Sequence, residues 1–285
     1  MKSKEKFRNF CRSFFSRGFI AYAAVAVIIL FLVIAVLTPI LTPYEPNTMD
    51  LRSSLALPSK EHLLGGDLHG RDVLTRILYG SRVSLSISLL ACVTGACAGM
   101  ALGLIAGYQD GPLSSLIMRY VDVQLAIPPI LFTIVIGLIV GRSIFGMIFA
   151  LSFGMLPSYI RLMYGIVLSL RESDYVTALR FANVRTGRII VRHLLPNAFP
   201  TMMVTFTMNL GNAIMTESTL SFLGIGIQQP TATWGGMVAD GYQYIFDRPL
   251  MTVAPGICLL LVVLAFNIFG DSLRDAIDPR LRGKL

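Results

Sequence analysis

Few side chains in this sequence are placed to do chemistry. His62, Asp67, His69 and Asp72 are residue types that bind metal ions, but their spacing matches no compact ligand motif, and Arg71 competes for the carboxylates. The stretch reads as a turn held by ion pairs. Glu217, counted from Ala198 at 1.5 Å per residue, lies about 28 Å along a helix. That is the border of a bilayer, where an interfacial carboxylate costs little; a proton relay is the rival reading. His193, beside Arg192, reads as an interfacial polar residue rather than a catalyst. Cys11, Cys92, Cys97 and Cys258 have no metal spacing, and three of them lie in apolar runs where a thiol behaves as a small hydrophobe. The chain lacks GxxxxGK[ST], HExxH and GxSxG, so no nucleotide, zinc or acyl-transfer chemistry follows from a known arrangement. No catalytic residue, metal or cofactor is expected on this chain, and any ATP energy must come from another polypeptide.

The elements around these residues are apolar. Of 285 residues 54% are hydrophobic and 14% charged, against roughly 25% charged in soluble domains. This composition predicts an all-α, multi-spanning membrane protein. Six stretches reach the roughly 20 residues a spanning helix needs: Phe19 to Leu41, Val83 to Tyr108, Leu116 to Val140, Ile144 to Ser169, Ala198 to Leu223 and Leu250 to Phe269. The uncharged run Gly18 to Tyr44 is too long for a signal-peptide core and is read as a retained first span. The expected organisation is a basic tail (1–18), a first span (19–41), an outer segment (42–82), a core of five spans (83–270) with a polar loop at 171–197, and a second basic tail (271–285). The net charge of +8 sits in the connections, so it marks the cytoplasmic side and does not point to nucleic acid. Six spans place both termini and the 171–197 loop there.

Three patterns remain. Gly95, Gly99, Gly103 and Gly107, each four apart, form a groove for close helix approach, within this chain or against another subunit. Thr201, Thr205, Asn209, Asn212 and Thr216 form a polar stripe on an apolar helix, which serves either as interhelical hydrogen-bond glue or as the lining of a wet path. In the loop, Ser173 or Asp174 is placed to cap a short helix whose apolar stripe is Tyr175, Ala178, Leu179 and Ala182. Asn183 suits a left-handed turn after it. A second helical piece starts near Thr186 with Arg185, Arg188 and Arg192 on its polar side, and is expected to stop at Pro196.

The loop residues Tyr175, Val176, Ala178, Arg180, Ile190, His193, Leu195, Pro196 and Asn197 resemble the cytoplasmic coupling loop of permease subunits of binding-protein-dependent ABC importers. The outer run His62, Gly65, Asp67, Gly70, Arg71, Asp72 and Arg76, the run Leu220 to Gly224 with Trp234, and the terminal run Gly270 to Arg280 narrow the resemblance to the second permease of the dipeptide, oligopeptide, glutathione and nickel group. Two positions depart from that pattern: Thr177 replaces the usual Glu, and Asn183 the usual Gly. The resemblance implies an ABC importer type I permease fold in a bacterial or archaeal cytoplasmic (inner) membrane. It implies ATPase coupling through Tyr175, Val176, Ala178, Leu179, Asn183, His193 and Pro196. The implied partners are a homologous second permease, two cytoplasmic ATPases that carry ATP and magnesium, and an extracytoplasmic substrate-binding protein. Thr205, Asn209, Asn212 and Thr216 become path residues on this reading; Gly95, Gly99, Gly103 and Gly107 stay candidates for subunit packing on their spacing alone.

Overall fold

The computed structural model describes residue 10, residues 13–15 and residues 18–277. Cys11, most of the N-terminal tail and Asp278 to Leu285 lie outside the described residues. The helices are α1 (Phe19–Leu41), α2 (Val73–Tyr108), α3 (Pro112–Leu125), α4 (Pro129–Val140), α5 (Ile144–Arg171), α6 (Asp174–Phe181), α7 (Thr186–Ile189), α8 (Leu195–Phe222), α9 (Trp234–Tyr242) and α10 (Leu250–Ile277). Among the described residues there is no strand, only one bridge between Gly66 and Asp72. Four helices (α1, α2, α5 and α10) are long and apolar enough to cross a membrane, and a fifth crossing is made if the bent pair α3–α4 counts as one. At 28 residues α8 has the length, but its Thr and Asn residues dilute its apolarity. Six spans were the expectation, the third already set apart by Arg119 and Asp122 in its first turn; two of the six differ from that expectation.

The first of these is Leu116 to Val140, which is not one helix. It is two, bent by 100°. Pro128 and Pro129 remove two consecutive backbone donors, and a residue before proline is driven out of the helical region. Pro128 accordingly sits at ψ 127 and serves as N-cap of α4. The elbow is held from α5, because Gln124 Nε2 donates to Phe153 O at 2.7 Å and Thr133 seats against Gly154.

A boundary moves as well. α2 begins at Val73 rather than Val83, where the Asp72 carboxylate accepts from Thr75 N at 2.7 Å and caps it. The helix is 36 residues long, about 54 Å, so its first turns project beyond the hydrocarbon. Arg76 on the projecting part is buried and donates to Pro46 O at 2.9 Å and Pro230 O at 3.2 Å. Trp234 at the start of α9 is fully buried, with Nε1 donating to Ile77 O at 3.0 Å and Phe31 of α1 edge-on at 5.4 Å. Arg248 Nε donates to Leu55 O at 2.6 Å. These bonds join the segment after α1, the overhang of α2 and the loop after α8 into one cap. At the opposite end Ser13 Oγ donates to Asp275 O at 3.2 Å, and Phe14 packs edge-on against Phe269.

α2 and α5 pack with their backbones nearly touching. A Cβ added at Gly103 would meet Met163 Cβ at 2.6 Å and Ile160 O at 2.7 Å, and one at Gly107 would meet Tyr164 O and Val167 Cβ at 2.9 Å. Gly95 faces Ser152 and Gly99 faces Tyr159. The glycine groove is therefore filled by α5 of the same chain, so of the two readings packing within this chain holds and the subunit interface does not. Gly103→Ala is predicted to lower stability by about 1–3 kcal/mol through overpacking. Gly165→Ala, which meets nothing within 4 Å, leaves it unchanged or raises it; thermal unfolding of the two variants in one detergent compares them.

Candidate functional site

The loop between α5 and α8 is built on its own chain. Val176 of α6 is fully buried, and Leu179 is half-buried against the same cluster, formed by Tyr159, Met163 and Val167 of α5 with Ile189, Leu194 and Ala198. Ser173 is the N-cap by position, yet its hydroxyl donates back to Leu170 O and caps nothing ahead of it. The far end closes as expected, because Asn183 has φ 57. Val184 N donates to Leu179 O at 3.1 Å and Asn183 N to Arg180 O at 3.0 Å, the 6→1 and 5→2 bonds of a Schellman turn. Arg171 Nη1 meets the Asp110 carboxylate at 2.9 Å, and Arg180 stands 5.0 Å over the Tyr108 ring. The first contact fastens the end of α5, and the second α6, to the end of α2.

What α6 shows to its surroundings differs from the expected stripe. Val176 and Leu179 face inward and hold the helix down. Tyr175 (41% exposed) and Phe181 (88% exposed), with Ala178 and Ala182, form the outward face. Phe181 was missed by sequence reading, since it stands outside the Tyr175, Ala178, Ala182 spacing. The second helical piece does not stop at Pro196. α7 passes through a π turn, Ile190–Leu194, directly into α8. Leu195 N donates to Ile190 O, the longer-range bond of that turn. Pro196 then occupies the first turn of α8, where its missing N–H matters least. His193 is half-buried; its carbonyl accepts from Asn197 Nδ2 at 2.7 Å, and the same Nδ2 reaches the Tyr175 hydroxyl at 3.4 Å.

Along α8 the polar stripe divides. Asn209, Asn212 and Thr216 line a cavity of about 450 Å³ together with Ser158 of α5 and Pro129 and Thr133 at the elbow. Thr205 is not among them; with Thr201 and Arg274 it lines a second cavity of about 440 Å³ nearer the start of α8. Asn212 and Thr201 are exposed, which in a membrane requires a covering protein or water.

Glu217 is placed differently from the sequence expectation. It is wholly buried rather than interfacial, because the α2 overhang and α9 cover the end of α8. Its carboxylate accepts from Ser221 Oγ at 2.9 Å and Ser218 Oγ at 3.4 Å. The outer histidines and acids form turns and ion pairs: Arg71 Nε to Asp67 Oδ2 at 2.6 Å, Arg76 Nε to the same oxygen at 3.5 Å, and His62 Nδ1 to Asp72 Oδ1 at 3.0 Å. Among the described residues no group of three His, Cys, Asp or Glu is placed to hold a metal. Asp240 in α9 is pushed above the usual carboxylate range by burial, opposed by the Gln229 amide donating at 2.6 Å and by Arg76 and Arg71.

The profile of the binding-protein-dependent transport system inner membrane component matches residues 99–283, which include the loop, the elbow and α8. The chain belongs to this family. It is a multi-pass inner-membrane transport permease. It is 40% identical over 264 residues to the dipeptide transport system permease protein DppC of Alkalihalophilus pseudofirmus, covering 92% of this chain and 86% of that one. It is 36% identical to the probable D,D-dipeptide transport system permease protein DdpC of Escherichia coli, over 90% of this chain and 87% of that one. It is 37% identical to the glutathione transport system permease protein GsiD of Pectobacterium atrosepticum, over 96% and 91%. In fold it resembles a solved inward-facing structure of the MetNI methionine ABC transporter, with a TM-score of 0.59 and 17% identity, covering 72% of this chain and 98% of that one.

The permease loop depends on one left-handed residue. Asn183→Gly is predicted to preserve the Schellman turn, whereas Asn183→Val, β-branched at positive φ, costs about 1–3 kcal/mol locally. Amide hydrogen exchange should show faster exchange across α6 in the Val variant alone.

Proposed function

We propose that this permease forms one half of the membrane path of an ATP-driven peptide importer and takes its drive through α6. Peptide is the common chemistry of the relatives named for dipeptides and for glutathione. The positive-inside rule directs the end bearing the loop and both termini to the cytoplasm. Two ATPases carrying ATP and magnesium would sit at that end, and a substrate-binding protein would meet the cap at the other. A homologous second permease would cover the exposed polar stripe of α8, since lipid cannot.

The observation that carries this reading is the outward face of α6. Tyr175, Ala178, Phe181 and Ala182 stand exposed on a helix whose other face is locked to the helix leading into the cavity wall. An exposed apolar face on a pinned helix is a docking surface. Seating Phe181 in a groove is worth about 1.5–3 kcal/mol. Closing of the ATPases on ATP would push α6, and through it α8, shifting the path between its two openings.

Phe181→Ala should weaken ATPase retention by roughly 10- to 100-fold while the subunit still inserts, and Phe181→Asp should abolish ATP-dependent uptake. Leu179→Asp is a poorer probe, because Leu179 packs within this chain. Co-purification of ATPases from membranes, measured beside uptake, decides the matter; full retention and normal uptake with Phe181→Asp would reject the docking face.

A further inference from the structure

The cavity between the α3–α4 elbow and α8 has a particular hydrogen-bonding inventory. Three hydroxyls line it, and each donates to its own helix: Thr133 to Pro129 O at 2.8 Å, Ser158 to Met155 O at 2.9 Å, and Thr216 to Asn212 O at 2.8 Å. Their donors are spent. Two carboxamides are not spent. Asn209 Nδ2 is buried without a well-formed hydrogen bond, and its polar neighbour is the Tyr159 hydroxyl, with which it makes only a weak contact. Among the described residues nothing hydrogen-bonds the side chain of Asn212. At i and i+3 the two lie on one face, about 5–6 Å apart at Cβ.

A carboxamide presents both a donor and an acceptor. So does a peptide bond. No Asp, Glu, Lys, Arg or His lines the cavity, so an ion there meets no counter-charge, and the volume of about 450 Å³ falls in the range of small-molecule sites. Apolar neighbours Leu125, Ile130 and Met215 complete a wall whose free side-chain donors are the two carboxamides, the three hydroxyl oxygens remaining as acceptors. A buried amide donor left unmatched is costly, and a ligand that matches it gains accordingly.

We propose that Asn209 and Asn212 form a subsite that holds the backbone amide of a passing peptide and is indifferent to its side chains and terminal charges. The proposal rests on the importer reading and specifies what the path recognises. Selection among peptides then falls to other parts of the assembly, while this wall favours amide-bearing solutes over esters and bare ions.

The test uses the whole complex, purified with its partner permease, ATPases and binding protein and reconstituted in liposomes. Radiolabelled Ala-Ala is compared with its depsipeptide, in which an ester oxygen replaces the N–H, each supplied with the binding protein loaded to saturation. Uptake and ATP hydrolysis are both read. The wild type should move about tenfold more Ala-Ala than ester per ATP, as expected from one neutral hydrogen bond. Asn209→Leu and Asn212→Leu should lower Ala-Ala moved per ATP about tenfold and erase the preference. Asn212→Gln, which restores the carboxamide, should retain it. Leu variants that keep wild-type uptake and preference would overturn the subsite, as would a Gln variant that fails as the Leu variants do. A wild-type complex that hydrolyses ATP and moves no Ala-Ala would instead contradict the peptide reading on which the subsite rests.

Discussion

Helical continuity from Thr186 to Phe222 is the constraint on which the rest of this structure depends. A proline in a loop ordinarily marks a break, and here Pro196 would separate the 171–197 loop from α8. The π turn at Ile190–Leu194 shifts the bonding by one residue and delivers Pro196 to a first-turn position. A single continuous helical element, with Pro200 inside it, therefore runs from the base of α6 to the cavity wall and on to Glu217. Val176 and Leu179 couple α6 to that element by burial, which resists shear because interiors are close-packed.

A lever needs a frame, and the frame is α2 against α5. Glycines on α2 admit the backbone of α5, so the pair has no slack in which to slide. The elbow hangs from α5 through Gln124 and Thr133, and the cap sits on the overhang of α2 through Arg76 and Trp234. The cavity lies where frame, elbow and lever meet. Its shape is therefore sensitive to displacement of α8, whereas its fixed walls belong to α5.

Sequence reading recovered most of this architecture, and its failures have separate physical causes. The boundaries of α1 and α5 follow from long apolar runs, that of α5 broken by Arg161, and Asn183 was legible because few residues tolerate positive φ. The start of α2 was missed because Arg76 and Arg82 look like the end of a span. Burial of Arg76 on backbone carbonyls carries the helix past them. The elbow was hidden by the apolarity of the stretch, although Pro128–Pro129 was its visible signal. Val176 was overlooked as an anchor because periodicity identifies a stripe but not which side a tertiary partner occupies. Glu217 was given the wrong surroundings, since α9 returns to cover it from a loop that hydropathy ignores. Close packing by the glycines was legible; the identity of their partner helix was not.

The stiffness of the lever is the central claim, and a distance measures it. Spin labels at positions 188 and 222, about 50 Å apart along the helix, would be introduced after the native cysteines are replaced. Double electron–electron resonance would then be recorded on the assembled complex without nucleotide and with ATP trapped. The account predicts one narrow distance that is the same in both states, with the helix moving as a body. A distance that shortens or broadens with ATP would show that the π turn is a hinge, and the transmission of motion from α6 to the cavity would fail.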